Sequence, residues 1–299
     1  MTYRRTAGDV FFSVINYTVF ILFTIICVLP FYYIFINTIS ANDLVVKGRI
    51  VLLPQGFHLS NYMKIFSMQG LPQAAIITLS RTVLGTVSSV LFTGFAAFCI
   101  ARPELWMRKF CYRFFIITMY FSAGLIPWYL NMRMLGLTNN FLAYIIGVIS
   151  PYNLILFKTY IESISPSMSE SAEIDGAGYL TVFFRILFPL CKPIVATIAV
   201  FTAVGHWNSF MDTLFLMTDP RLHTLQFMLW RFMSEANAIA NAMRLAAEQG
   251  QEFTPTAQML TPSSVRMTIS MVVVLPVLCV YPFFQRFFMK GIMIGAVKG

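Results

Sequence analysis

Long stretches without charge alternate along the chain with short ones rich in Arg, Lys and Pro. Six apolar runs stand out, at about 11–39, 74–101, 111–132, 141–163, 194–217 and 265–289. Each has roughly the 20 residues that an α-helix needs to cross a hydrocarbon core about 30 Å thick. In lipid every backbone N–H and C=O must be satisfied internally, so the runs predict helices. The expectation is an all-α, polytopic membrane protein with six transmembrane helices. Residues 10–39 are longer than the apolar part of a secretory signal and lack a small-residue cleavage site, so they are expected to stay as the first span.

The polar connections then set an orientation. Arg102, Arg108, Lys109 and Arg113 crowd the short link between the second and third runs, Arg4 and Arg5 precede the first, and Arg286, Lys290 and Lys298 lie in the tail. With six spans all three groups fall on one side, and short basic loops stay in the cytoplasm, so both termini are expected there. Two outer segments differ in character. In 40–71, Pro54 and Gly56 precede Leu59, Tyr62, Ile65 and Phe66 at helical spacing, which predicts a short amphipathic helix along the interface. In 219–262, residues 233–251 alternate Ala, Asn, Glu and Arg as a water-exposed helix would, and Pro255 and Pro262 break the return to the membrane. That outer helix is expected to touch an extracytoplasmic protein.

Composition narrows the class. Charged residues make up 11% of the 299, against about a quarter in soluble proteins, and the mean hydropathy is +0.73. A soluble domain is excluded. The net charge of +9 sits at the ends of apolar runs and forms no continuous stripe, so it reads as membrane anchoring and not as a nucleic-acid surface. Cys27, Cys99, Cys111, Cys191 and Cys279 stand singly, without metal-ligand or redox spacing, and neither disulfide nor cofactor is expected. The 30 Phe and 18 Met residues are lipid-facing and helix-packing material.

The connection between the fourth and fifth runs, 164–193, is the most informative. Ser167 followed by Glu170 has the spacing of a capping box opening a short helix. Gly176 stands where a helix end wants a left-handed residue, and a second helix is expected over 179–188, stopped by Pro189. Glu170, Glu173 and Asp175 make this inner knob acidic, against the local basic trend, which suits a protein contact better than lipid headgroups.

The same segment resembles the Glu-Ala-Ala loop of ABC importer permeases. Glu170-Ser171-Ala172, Asp175-Gly176-Ala177, Phe183, Ile186 and Pro189-Leu190 carry the likeness. Ser171 stands where Ala is usual, Phe188 where Leu commonly precedes the proline, and Pro166 comes one place late. Leu59-Ser60-Asn61-Tyr62, Trp207-Asn208 and the tail 285–299 resemble the carbohydrate branch, the maltose-type permeases and above all the relatives that carry complex oligosaccharides. The resemblance implies a type I ABC importer permease fold in a bacterial cell membrane, with a first span and outer loop in 1–72, a permease core in 73–290 containing a coupling loop at 164–190, and a cytoplasmic tail at 291–299. It also implies partners: a second permease, two cytoplasmic ATPase subunits and an extracytoplasmic sugar-binding protein. The chain has no Gly-x-x-x-x-Gly-Lys-Ser/Thr loop, so ATP would be used by the partners and not here. Glu170, Ser171, Ala172, Asp175, Gly176, Ala177, Phe183, Ile186 and Pro189 would contact or shape the ATPase junction, with the alanines permitting close approach.

Polar residues inside spans are costly and often functional, which makes Arg81, Asn153, Trp207, Asn208 and Asp212 the pathway candidates, with Asn37 and Asn131 behind them. Trp207-Asn208 has the aromatic face and amide that a sugar ring wants. The alternatives are interhelical hydrogen bonds for the amides, snorkelling or a mutual salt bridge for Arg81 and Asp212 near the outer ends of their spans, and a packing role for His206. An ion-coupled secondary transporter is the competing class. It needs a carboxylate or His relay near mid-membrane, and only His206 is even roughly placed.

Overall fold

The computed structural model describes residues 7–147, 149–248 and 262–296. Arg4, Arg5, Pro255 and Lys298 lie outside the described residues. Every regular element described is helical, with no strand among them. The chain divides into two compact units, one of Met1–Met68 with Phe232–Leu275 and one of Gln69–Arg231 with Pro276–Gly299.

The first unit opens with α1 (Ala7–Thr38), long and apolar enough to cross a membrane, with Pro30 inside it. Phe11, Phe12, Tyr17, Phe20 and Phe23 are exposed along it, as a lipid-facing helix requires. Its hydroxyls are satisfied locally: Ser13, Thr18 and Thr24 donate to the carbonyls four residues back. The short helices α2 (Asn42–Val46) and α3 (Ser60–Phe66) close over its last turn. Asn61 and Asn42 exchange two amide hydrogen bonds of 2.9 and 3.1 Å, and Asn61 also donates to the Thr38 carbonyl. Tyr62 pairs its hydroxyl with that of Thr38 at 2.8 Å. Gly56, at φ +65°, lies so close to Ala41 that a Cβ would meet it at 2.8 Å. The Leu59-Ser60-Asn61-Tyr62 signature is thus a clasp on the end of α1, and Asn37 is occupied too, donating to the Tyr33 carbonyl.

The second unit is organised around α4 (Leu71–Ala101). Arg81, Gly85, Ser89, Thr93 and Ala97 recur every fourth residue, and all are buried. Lipid is as apolar as a side chain, so helix association in membranes relies on close van der Waals contact, which small residues permit. A Cβ on Gly94 would come within 2.9 Å of the Phe157 ring, and one on Gly85 would overlap His206. Phe157 belongs to α7 (Pro151–Glu162) and His206 to the seventeen-residue helix Lys192–Asn208, and both helices lie along α4.

Continuous spans are predicted over 111–132, 141–163 and 194–217, and the structure breaks all three. The first divides at 121–124 into α5 (Arg108–Tyr120) and α6 (Leu125–Met134), where Gly124 has φ +83°. The second is a single 3-10 turn, Phe141–Tyr144, followed by α7, whose first residue is Pro151. A proline lacks the N–H that continues a helix but suits its first turn. After α7 come α8 (Ser167–Ile174), α9 (Tyr179–Thr181), a π-turn at Val182–Leu187 and α10 (Phe188–Leu190). Pro189 therefore does not end the second knob helix. Its ring would strike the Arg185 carbonyl in a regular α-helix, and the chain opens into the wider π-turn just before it. At Cys191 the axis bends by 83° into α11 (Lys192–Asn208), which gives way at Ser209 to α12 (Met211–Leu216).

The helix α13 (Leu225–Glu248), expected from residue 233, begins well before it, because Leu225, Phe227, Met228 and Leu229 are buried in the core. The last helix, α14 (Pro262–Ala296), runs through Pro276 and Pro282. Besides α1 and α4, only the bent pair ending at Asn208 meets the length and apolarity of a span among the described residues, with Ser264–Val280 a shorter apolar helix.

Candidate functional site

The knob between α7 and α11 is built as a cap on apolar packing. In α8 the predicted capping box is not made: Pro166 holds the cap position, and the Ser167 hydroxyl pairs with Ser165 at 2.9 Å. The other end is stronger than the spacing alone implied. Gly176 takes φ +81°, its N–H bonds the Glu173 carbonyl at 3.0 Å, and the Ala177 N–H reaches the Ala172 carbonyl at 2.9 Å. These are the two bonds of a Schellman motif, which satisfy the last carbonyls of the helix.

Side chains divide cleanly around that turn. Ala172 and Ala177 pack inward against the core, with Phe183 fully buried beneath them and Ile186 half-buried. Phe183 meets Phe95, Phe98, Phe184 and Phe188 ring to ring at 4.8–5.5 Å. Glu170, Ser171, Asp175 and Pro189 face outward. So do apolar residues that the sequence pattern did not single out: Ile174 at 86% exposure, with Tyr179 and Leu180. An isoleucine this exposed at a helix tip is informative because nothing among the described residues covers it.

Two positive side chains expected to be lipid anchors are instead ion-paired to this region. Arg102 donates to Glu173 at 2.5 Å, and Arg108 to Glu162 at 2.6 Å, where Lys158 donates to the same carboxylate at 2.8 Å. A cavity of about 260 Å³ lies beneath α8, walled by Arg102, Arg108, Glu162, Ser169 and Glu173.

Elsewhere in this unit the pathway candidates are brought together in part. Arg81, 2% exposed, holds Asp212 by two hydrogen bonds of 2.5 and 3.2 Å. Its guanidinium lies 4.3 Å from the Tyr144 ring centroid, and Tyr144 bonds Thr213 and the Leu222 carbonyl. Thr213 continues to Thr224, and Thr78 accepts from the Leu225 N–H. Arg81 and Asp212 thus neutralise each other within a polar network, with only the Arg81 Nε left without an acceptor among the described residues. Asn208 ends α11 exposed, Trp207 beside it is half-buried, Asn153 is buried near the start of α7 and Asn131 is exposed on α6. Tyr144 and the stack of Phe210, Trp230 and Phe227 were missed, because aromatic residues in apolar runs look alike until the fold gathers them. Just beyond the network, Asp219 caps the turn Pro220–Leu222, and hydrogen bonds from Arg221 hold its carboxyl below the usual value. Among the described residues no group of His, Cys, Asp or Glu side chains is arranged to hold a metal ion.

The chain matches no protein-family model. It is 33% identical over 289 residues to the polygalacturonan/rhamnogalacturonan transport system permease protein YtcP of Bacillus subtilis (strain 168), covering 96% of this chain and 98% of that protein. The chain belongs to the permease subunits of ABC sugar importers. This permease is also 27% identical to the melibiose/raffinose/stachyose import permease protein MelC of Bacillus subtilis (strain 168), over 91% of each chain. Its fold matches a chain in the crystal structure of a bacterial ABC transporter involved in import of the acidic polysaccharide alginate, with a TM-score of 0.82 and 30% identity over 96% of this permease and 100% of that chain.

Proposed function

We propose that this permease forms half of the membrane pathway of a binding-protein-dependent importer for carboxylated oligosaccharides, driven by two separate cytoplasmic ATPase subunits. The knob around Gly176 carries the reading. Its Schellman turn and buried Phe183 make it rigid, while Glu170, Ser171, Ile174, Asp175 and Leu180 present an apolar tip with an acidic rim. A basic, apolar-lined cleft on an ATPase would bury that tip and pair that rim. Six spans with both termini and the knob in the cytoplasm are the topology that fits, and a second permease of different sequence completes the pathway. An extracytoplasmic binding protein delivers the sugar. ATP binding and the loaded binding protein then bias two packings of the helices that differ by a few kcal/mol.

The acidic substrate class is supported by two relatives whose names specify polygalacturonan/rhamnogalacturonan and alginate. Arg81 is not the reason, since Asp212 already neutralises it. Proteoliposomes holding the full importer test both parts. Uptake of trigalacturonate should need ATP and the ATPase, and should exceed uptake of maltotriose. Uptake without the ATPase overturns the mechanism, and equal uptake of the neutral sugar overturns the substrate class.

A further inference from the structure

The helix α4 ends at Arg102, whose backbone is extended (φ −70°, ψ 130°). Its side chain is only 15% exposed and reaches across to Glu173 on α8. The guanidinium also lies 4.8 Å from the Phe98 ring centroid and 5.6 Å from that of Tyr179. One cation therefore touches the last turn of α4, the knob helix and the residue that restarts the chain after the Gly176 turn. Arg108 ties the same stretch to α7, through the Ile100 carbonyl at 3.2 Å and Glu162 at 2.6 Å. An arginine serving only to anchor the membrane would leave its charge to water and headgroups, and Arg102 does not.

The knob joins α11 through the covalent chain, but it meets α4 only through side chains. Among the contacts described there, Phe98 and Phe95 lie against Phe183 at 5.4 Å, which holds the elements by packing and not by charge. The Arg102–Glu173 pair adds a direction, and its stacking on Phe98 strengthens it beyond an open surface pair. We infer that Arg102 is the positioning residue that makes α4 follow α8. With 31 residues at 1.5 Å each, α4 is a rod of about 45 Å. It carries displacement of the knob toward the end where Arg81 grips Asp212. This rests on the knob docking to the ATPase, so the test reads docking and transmission separately.

The complete importer, with the five native cysteines of this chain replaced by alanine, is reconstituted with two reporters. A crosslink from Ile174→Cys to the ATPase reads docking, and bimane on Val83→Cys, an exposed position of α4, reads movement when ATP and vanadate trap the closed state. In Arg102→Gln the crosslink stays and the trapping-induced bimane shift falls about fivefold. Arg102→Lys keeps most of the shift, and the swap Arg102→Glu with Glu173→Arg restores it. A full shift in Arg102→Gln, or a swap no better than the single variant, overturns the inference. A missing Ile174→Cys crosslink in the otherwise native importer removes the docking reading itself, and the inference with it.

Discussion

Removing one partner of the Arg81–Asp212 pair probes the network most directly. In Asp212→Ala the guanidinium, 2% exposed, keeps the Tyr144 ring and a 3.4 Å contact to the Ser209 carbonyl, and its Nε has no acceptor even in the intact protein. An uncompensated buried charge costs about 3–5 kcal/mol. Asp212 is itself 16% exposed, so water admitted beside it places the loss near the lower figure, ~3 kcal/mol. In chains of about this size each kcal/mol moves Tm by roughly 2–4 °C, which gives a fall of about 6–12 °C. Fluorescence-monitored unfolding of the detergent-solubilised importer measures it. Arg81→Met combined with Asp212→Leu removes both charges and should recover more than half of the loss, because no buried charge is left uncompensated; the Ser209 hydroxyl and Thr213 N–H lose their Asp212 acceptor in both variants alike. If Asp212→Ala melts within about 2 °C of the parent, or the double variant is worse than the single, the network is not what holds α12 to α4.

Other sites give simpler outcomes. Gly94→Leu drives a side chain into Phe157 and should cost about 1–3 kcal/mol through overpacking, seen as a lower Tm, whereas Ser88→Leu, off the buried stripe of α4, should not. Asn61→Ala leaves Asn42 and the Thr38 carbonyl short of partners and should cost about 1–3 kcal/mol, read as faster proteolysis within 40–60. Ser167→Ala should leave α8 unchanged, since its side chain caps nothing, while Gly176→Ala forces a β-carbon into a left-handed turn and costs about 1 kcal/mol. Hydrogen exchange at Ala177 separates the two. Ile174→Asp places a charge at the apolar tip and should abolish co-purification of the ATPase with the permease at unchanged expression.

The sequence displays some of this structure openly and hides the rest for identifiable reasons. Mean apolarity marks where the membrane segments run, but not that 111–132, 141–163 and 194–217 are interrupted, because Gly124 and Pro151 are single residues in otherwise apolar text and no glycine or proline stands at the Ser209 break. The turn at Gly176 was readable, since a glycine between two helical patterns has few other uses. Which way Ala172 and Ala177 point was not, because that depends on Phe183 lying beneath them. Arg102 and Arg108 belong to a basic cluster that topology alone explains, and only three-dimensional proximity reveals Glu173 and Glu162 as their partners. Arg81 and Asp212 were legible as costly charges, and of substrate contact, snorkelling and a mutual salt bridge, the salt bridge is what the fold shows.

The widened turn ahead of Pro189 has a consequence for how the knob is aimed. An α-helix advances about 100° per residue, so one extra residue in a single turn rotates the upstream chain by about that angle relative to the downstream helix. Exchange Pro189 for a residue with an N–H, and the segment is free to tighten into ordinary helical winding. Gly176 and its neighbours would then swing like a key turned in the wrong direction, with every contact inside the key intact.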